Sequence, residues 1–425
     1  MATNSDSVTG GSTATRSASV LGTNMERKSV LISGASVAGP TLAYWLHRYG
    51  FETTIVERAP ALRPGGYAVD FRGAGMEVLR RMNLIDEIRR HEVRTGKITV
   101  VDQHNQKVTS MPDGFTSGEL EIMRGDLARV LYEATKYKTE YIFDDTITGL
   151  TQGPHGVDVC FSRTPARRFD LVIGADGLHS NVRTLVFGEE DRFLHELGLY
   201  IAIFTTPDFM QLDGNALFYG TLGRRVGLFG VRQKNEAKAS FYFASEPLHY
   251  DRRDIRQQKQ LLREKFAGLS WQVPRMLEYM DSAPDFYFDS ISQIRMDTWS
   301  RDRITLVGDA AHCASPMAGL GTTMAMIGAY ILAGELKAAQ GDHTRAFPRY
   351  ETLMHEFTTN IQKLADGASW FVPTTRTKLW MSNLMWKILP YTPWKNMMIK
   401  LPTKLASSIS LKDYEHTESL SFATT

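Results

Sequence analysis

The chain has 425 residues, 43% apolar and 23% charged, with a formal net charge of +2. That length suffices for two or three domains of ordinary globular composition, and a near-neutral balance without a dominant basic run argues against a dedicated nucleic-acid binder. Two cysteines, Cys160 and Cys313, supply neither a disulfide framework nor a metal cluster, so a cytoplasmic protein without a metal site is expected.

Residues 1–27 are rich in Ser, Thr, Gly and Ala and lack the apolar stretch of a secretory signal; a disordered tail is expected. No run reaches the roughly 18 apolar residues needed to span a membrane. The organising stretch follows at 29–58. Val30, Leu31 and Ile32 read as a strand buried on both faces. The turn 34–39, GASVAG, comes next, and Leu42, Ala43, Leu46 and Tyr49 recur at helical spacing before Gly50. Residues 53–56 make a second strand, closed by Glu57. A βαβ unit with a glycine turn and an acid about twenty residues on is the dinucleotide-binding fingerprint. Gly34 permits the tight turn, Gly39 lets helix and strand pack closely, and Glu57 can accept hydrogen bonds from ribose hydroxyls. Ser36 stands where a glycine is usual; it is small and can itself bond a phosphate. Ala38 in the turn and Arg58 beside the acid join this set. The competing reading is a βαβ unit that uses its glycines only to turn.

In the segment 63–73, Asp70 and Arg72 form either a surface salt bridge or a pair facing cofactor or substrate. Arg124 lies where a strand end meets a helix, at the mouth of the sheet, where a phosphate contact is open to it. Residues 170–177, DLVIGADG, repeat the buried strand and glycine pattern. From 197 to 287, aromatic-rich strands predict an antiparallel sheet whose faces either cover a ligand or only pack a core. A charged helical stretch is expected over 250–266. Residues 303–312 return to a buried strand, ending in Gly308-Asp309. Asp309 reads as a helix cap or a cofactor contact. Residues 316–321, PMAGLG, precede a long helix. No acid occurs between Asp366 and Asp413. The basic apolar stretch there, with Trp380, Trp386 and Trp394, is expected to pack on the protein with its lysines reaching water, rather than on a membrane.

Three motifs in this order, GASVAG with Glu57, DLVIGADGLHSNVR and RITLVGDAAHCASPMAGLG, resemble those of the single-component FAD-dependent aromatic hydroxylases, the class A flavoprotein monooxygenases. The segments RPGGYAVDFRG and EIMRGDL look most like the tetracycline-inactivating branch. The resemblance implies an α/β fold: a Rossmann-type FAD-binding domain with a parallel sheet, an inserted mainly antiparallel substrate domain, and C-terminal helices. The expected division is 28–96, 119–190 and 290–370 for FAD, 97–118 and 191–289 for substrate, and 371–425 packing on both.

The resemblance also implies roles. Gly34, Ser36 and Gly39 would hold the FAD pyrophosphate, Glu57 the adenosine ribose, and Arg124 the ribityl-phosphate region. Asp309 would bind a ribityl hydroxyl. Residues 316–321, with Pro316, Gly319 and Gly321, would offer amides to the flavin ring. Asp176 would contact FAD and the nicotinamide donor, Asp70 would contact FAD, and Arg63 would contact NADPH. Arg72 is the candidate group facing flavin or substrate. NAD(P)H would reduce FAD, and O2 would form a flavin C4a-hydroperoxide that transfers one oxygen to a polycyclic or phenolic small molecule. A monomer is expected. The alternatives are a reductase or dehydrogenase of the same fold, a natural-product tailoring hydroxylase, and a flavin-bound sequestering protein.

Overall fold

The computed structural model describes residues 27–63, 65–111, 118–232, 234–392 and 395–416. The expected N-terminal tail, apart from Arg27, and Trp394 lie outside them. The first strand, Ser29–Ser33, sits inside a six-stranded sheet. The spatial order is Ser300–Arg301, Ile304–Leu306, Leu171–Gly174, Ser29–Ser33, Glu52–Glu57, Thr139–Phe143. The last five run parallel, and only the short edge hairpin is antiparallel. Val30, Leu31 and Ile32 are fully buried, because helices cover both faces of a parallel sheet. Helix Ala38–Arg48 returns the chain between the first two strands and packs against helix Gly321–Ala338, with the Trp45 and Tyr330 rings edge-on at 4.8 Å.

The aromatic strands build a second sheet of seven, ordered Phe286–Ile294, Leu194–Pro207, Glu236–Ala244, Arg224–Val231, Ala216–Thr221, Ile98–Val101, Lys107–Ser110. It is antiparallel except where Ala216–Thr221 pairs in parallel with Ile98–Val101. Side chains alternate across a strand, and strand Leu194–Pro207 shows the consequence. Tyr200, Ala202 and Phe204 join a core with residues of helices Ile255–Phe266 and Val273–Ser282. Leu199, Ile201 and Ile203 join the opposite cluster with Tyr67, Tyr287, Met317 and Phe371. One face therefore packs a core while the other meets the nucleotide-type half.

The charged helix starts at Ile255 rather than at 250, where Asp254 accepts the amides of Arg256 and Gln257. Helix Val273–Ser282 is additional; Pro274 in its first turn disguises it in the sequence. Among the C-terminal helices, Arg376–Ile388 buries Trp386 against Ile98, Val100 and Phe218, yet leaves Trp380 exposed.

Candidate functional site

Three helices begin where the parallel strands end: Ala38–Arg48 after Ser33, Asn181–Phe187 after Gly174, and Gly321–Ala338 beyond Leu306. The first and third carry no side-chain cap at their N-termini. Their leading amides lack intrahelical partners and are free for an anionic or polar ligand.

The glycine turn is built by close approach. A Cβ on Gly39 would lie 2.0 Å from the Gly34 carbonyl oxygen, and one on Gly34 (φ +110°) would lie 2.5 Å from that of Ala175. Ala38 lies across from Gly308, whose added Cβ would sit 3.1 Å from the Ala38 methyl. Glu57 accepts the amides of Ala35 at 2.9 Å and Ala59 at 3.0 Å, so its carboxylate locks the turn to the end of the second strand. Arg63 pairs with it at 3.8 Å, and Arg58 is exposed alongside. These charges cluster at the end of the second strand.

Arg124 opens helix Arg124–Thr135 and donates to the Ser36 hydroxyl at 3.1 Å. Among the described residues it has no carboxylate within ion-pair distance, and its positive charge faces Tyr67 and Asp309. Burial pushes the Asp309 carboxyl up, and Arg124 draws it back down. Asp309 is not a helix cap: Gly308 holds that position, with φ +66°. Its carboxylate instead lies across from Gly321, whose added Cβ would be 3.8 Å away. Pro316 and Gly319 are exposed at the same mouth. Ser315 precedes them with φ +81°, a region costly for a non-glycine residue, and its hydroxyl accepts the amide of Met317 at 3.1 Å.

Asp176 follows the strand Leu171–Gly174 and accepts from the Ser180 hydroxyl at 2.5 Å and the Asn181 and Val182 amides at 2.9 and 3.1 Å. It holds the start of helix Asn181–Phe187 beside Ser33. Burial raises its carboxyl against those bonds. Asp70 and Arg72 form a pair at 2.6 Å that is buried, not on the surface. Arg72 also lines a crevice of about 500 Å³ against Ile399, Thr403 and Ser407 of the C-terminal segment.

Sequence reasoning missed several neighbours. Tyr67 and Tyr287 approach with ring centroids 6.3 Å apart, joining the loop before strand Ala68–Phe71 to the large sheet. The Arg183 guanidinium is fully buried and donates to the carbonyls of Ala310 (3.0 Å) and Leu178 (2.7 Å), tying the second motif to the third. His179 spans Glu190 and Asp289, each at 3.0 Å. Arg183, His179 and Tyr67 lay within quoted segments, but none was singled out; Tyr287 had no periodic signal.

The family described as "FAD binding domain" matches residues 27–347. The chain belongs to the FAD-dependent monooxygenases. It is 46% identical over 343 residues to an uncharacterised protein of Mycobacterium tuberculosis, covering 79% of this chain and 92% of that one. It is 40% identical over 339 residues to a flavin-dependent monooxygenase of an unknown prokaryotic organism, covering 78% and 86%. The crystal structure of tetracycline destructase Tet(51) superposes with a TM-score of 0.81 at 32% identity, over 91% of this chain and all of that one. The donors and the close-packed turn fit FAD: uncapped helix N-termini and Arg124 suit a pyrophosphate, and the cradle at Gly34 and Gly39 has no room for side chains.

Proposed function

We propose that the chain consumes NAD(P)H and O2 to insert one oxygen atom into a polycyclic or phenolic small molecule, with a tetracycline as the specific substrate. FAD, when bound, supplies the electron transfer and the activation of O2. The residues supply position. Glu57 would hold the adenosine ribose. Ser36, Arg124 and the amides after Gly34 would hold phosphate oxygens. Asp309 would accept from a ribityl hydroxyl, and the uncapped amides at Gly321 would face the flavin ring. Asp176 and Arg63 would sit where a nicotinamide donor approaches.

The observation that carries this reading is the second face of the large sheet. It brings Tyr287 and Tyr242 into one cluster with Tyr67 and with Met317, which lies just before helix Gly321–Ala338. A flat, ring-bearing substrate suits walls of this kind. The fit to a tetracycline destructase over nearly the whole chain supports the choice of substrate.

The test is NADPH oxidation by the purified yellow protein with and without tetracycline, followed by mass analysis. The expected result is faster oxidation and a product heavier by one oxygen atom. Peroxide release with unmodified tetracycline would reject that substrate, and flavin that NADPH cannot reduce would reject the reductant.

A further inference from the structure

The large sheet holds a buried charge that none of the roles above uses. Arg225, in strand Arg224–Val231, is 3% exposed. Its Nη1 has no hydrogen-bond partner, and no carboxylate lies within ion-pair distance among the described residues. Its surroundings are aromatic: the guanidinium lies 4.5 Å from the Phe371 ring centroid and 5.9 Å from that of Phe218. Burial draws its pKa down to about 10, so it remains a cation at neutral pH. An unpaired buried cation is strongly unfavourable, and cation–π contact offsets only part of that cost.

Its place gives the charge a use. The alternation of the strand separates Arg225 from Val226 and Leu228, which belong to the core beneath the helices. Arg225 lies beside Tyr242 in the strand pairing. Tyr242 is pushed up to about 12 by burial, with a further contribution from Tyr67. Through Tyr242, Arg225 adjoins the cluster that holds Tyr67, Tyr287 and Met317. It also lines a cavity of about 320 Å³ with Val100, Val108, Tyr219, Leu379 and Asn383. Asp102 borders the same cavity, but its carboxylate is engaged by the amides of His104 and Gln106, at 2.9 and 2.8 Å.

We propose that Arg225 is the anion-recognition group of the substrate pocket, and that the ligand is an aromatic molecule carrying an acidic oxygen: a carboxylate, phenolate or enolate. This rests on the oxygenase reading for the word substrate, though the binding claim is independent of turnover. The aromatic body would lie in that cavity against Val100, Val108, Tyr219 and Leu379, and the anionic oxygen would complete the guanidinium. A guanidinium suits this, because its planar donors stay charged where a lysine would deprotonate.

The experiment is calorimetric titration of the FAD-loaded enzyme with 1-hydroxy-2-naphthoate and with its neutral methyl ester. Wild type should bind the acid at least tenfold more tightly. Arg225→Met should lose that preference while binding the ester as before, and Arg225→Lys should keep part of it. The ligand-free Arg225→Met enzyme should melt no lower than wild type. Equal affinities in wild type, no binding of either probe, or a Met variant that keeps the preference would each overturn the proposal. So would a Met variant that melts well below wild type, which would make Arg225 a structural group. Turnover is followed in parallel. Acid preference without oxygenated product would reject the oxygenase reading and leave this site standing; product without preference would do the reverse.

Discussion

A methyl group on Gly39 would lie 2.0 Å from the Gly34 carbonyl oxygen, closer than any real contact, so the helix or the strand must move. Gly39→Ala should lower stability by about 1–3 kcal/mol and reduce bound flavin; unchanged melting and flavin content would show that the turn relaxes freely. Asp309→Ala removes a proposed acceptor for a ribityl hydroxyl. Flavin retention should fall about tenfold, the effect of one lost hydrogen bond to a charged group. Full flavin occupancy after extensive dialysis would take Asp309 out of that role. Arg72 is 5% exposed and bonded to Asp70. Burial outweighs the arginine in raising the Asp70 carboxyl. Arg72→Ala leaves that carboxylate alone and should cost about 3 kcal/mol; a chemical-denaturation midpoint like that of wild type would contradict this.

Among elements, the parallel strands were the most legible. Val30, Leu31 and Ile32, and the run 171–174, are continuous apolar stretches, and all three motifs fall at the ends of parallel strands. A strand buried on both faces has no alternation to misread. The helix Val273–Ser282 was not legible, since Pro274 reads as a breaker unless the helix start is already known. The aromatic strands were recognisable as strands, but not their aim. Which face of the sheet Tyr287, Tyr242 or Arg225 takes depends on pairing register, and strand Leu194–Pro207 shifts register between Glu196 and Leu199. Tyr67 and Arg225 escaped notice for the same reason: their partners lie far along the chain.

At the scale of the molecule, His179 links the second motif to the large sheet through Asp289, and to Glu190; Arg252 and Arg183 also bond Glu190. Burial alone would lower the His179 pKa, but the bonds to Asp289 and Glu190 outweigh it and hold the folded value above 6.5. The protonated ring therefore stabilises the fold fully below the unfolded value near 6.5. That contribution is lost as pH rises through the higher folded value. Denaturation midpoints should fall as pH rises above 6.5, and His179→Gln should flatten the slope; an equal slope in the variant would assign the pH dependence elsewhere.

The reading of the whole chain turns on where the inserted oxygen comes from. The deciding measurement is turnover of the FAD-loaded enzyme with NADPH and tetracycline under isotopically heavy dioxygen in ordinary water, with mass analysis of the product. One heavy oxygen atom per product molecule is expected. A product carrying only the light oxygen of water, or reduced without any oxygen gain, would contradict it.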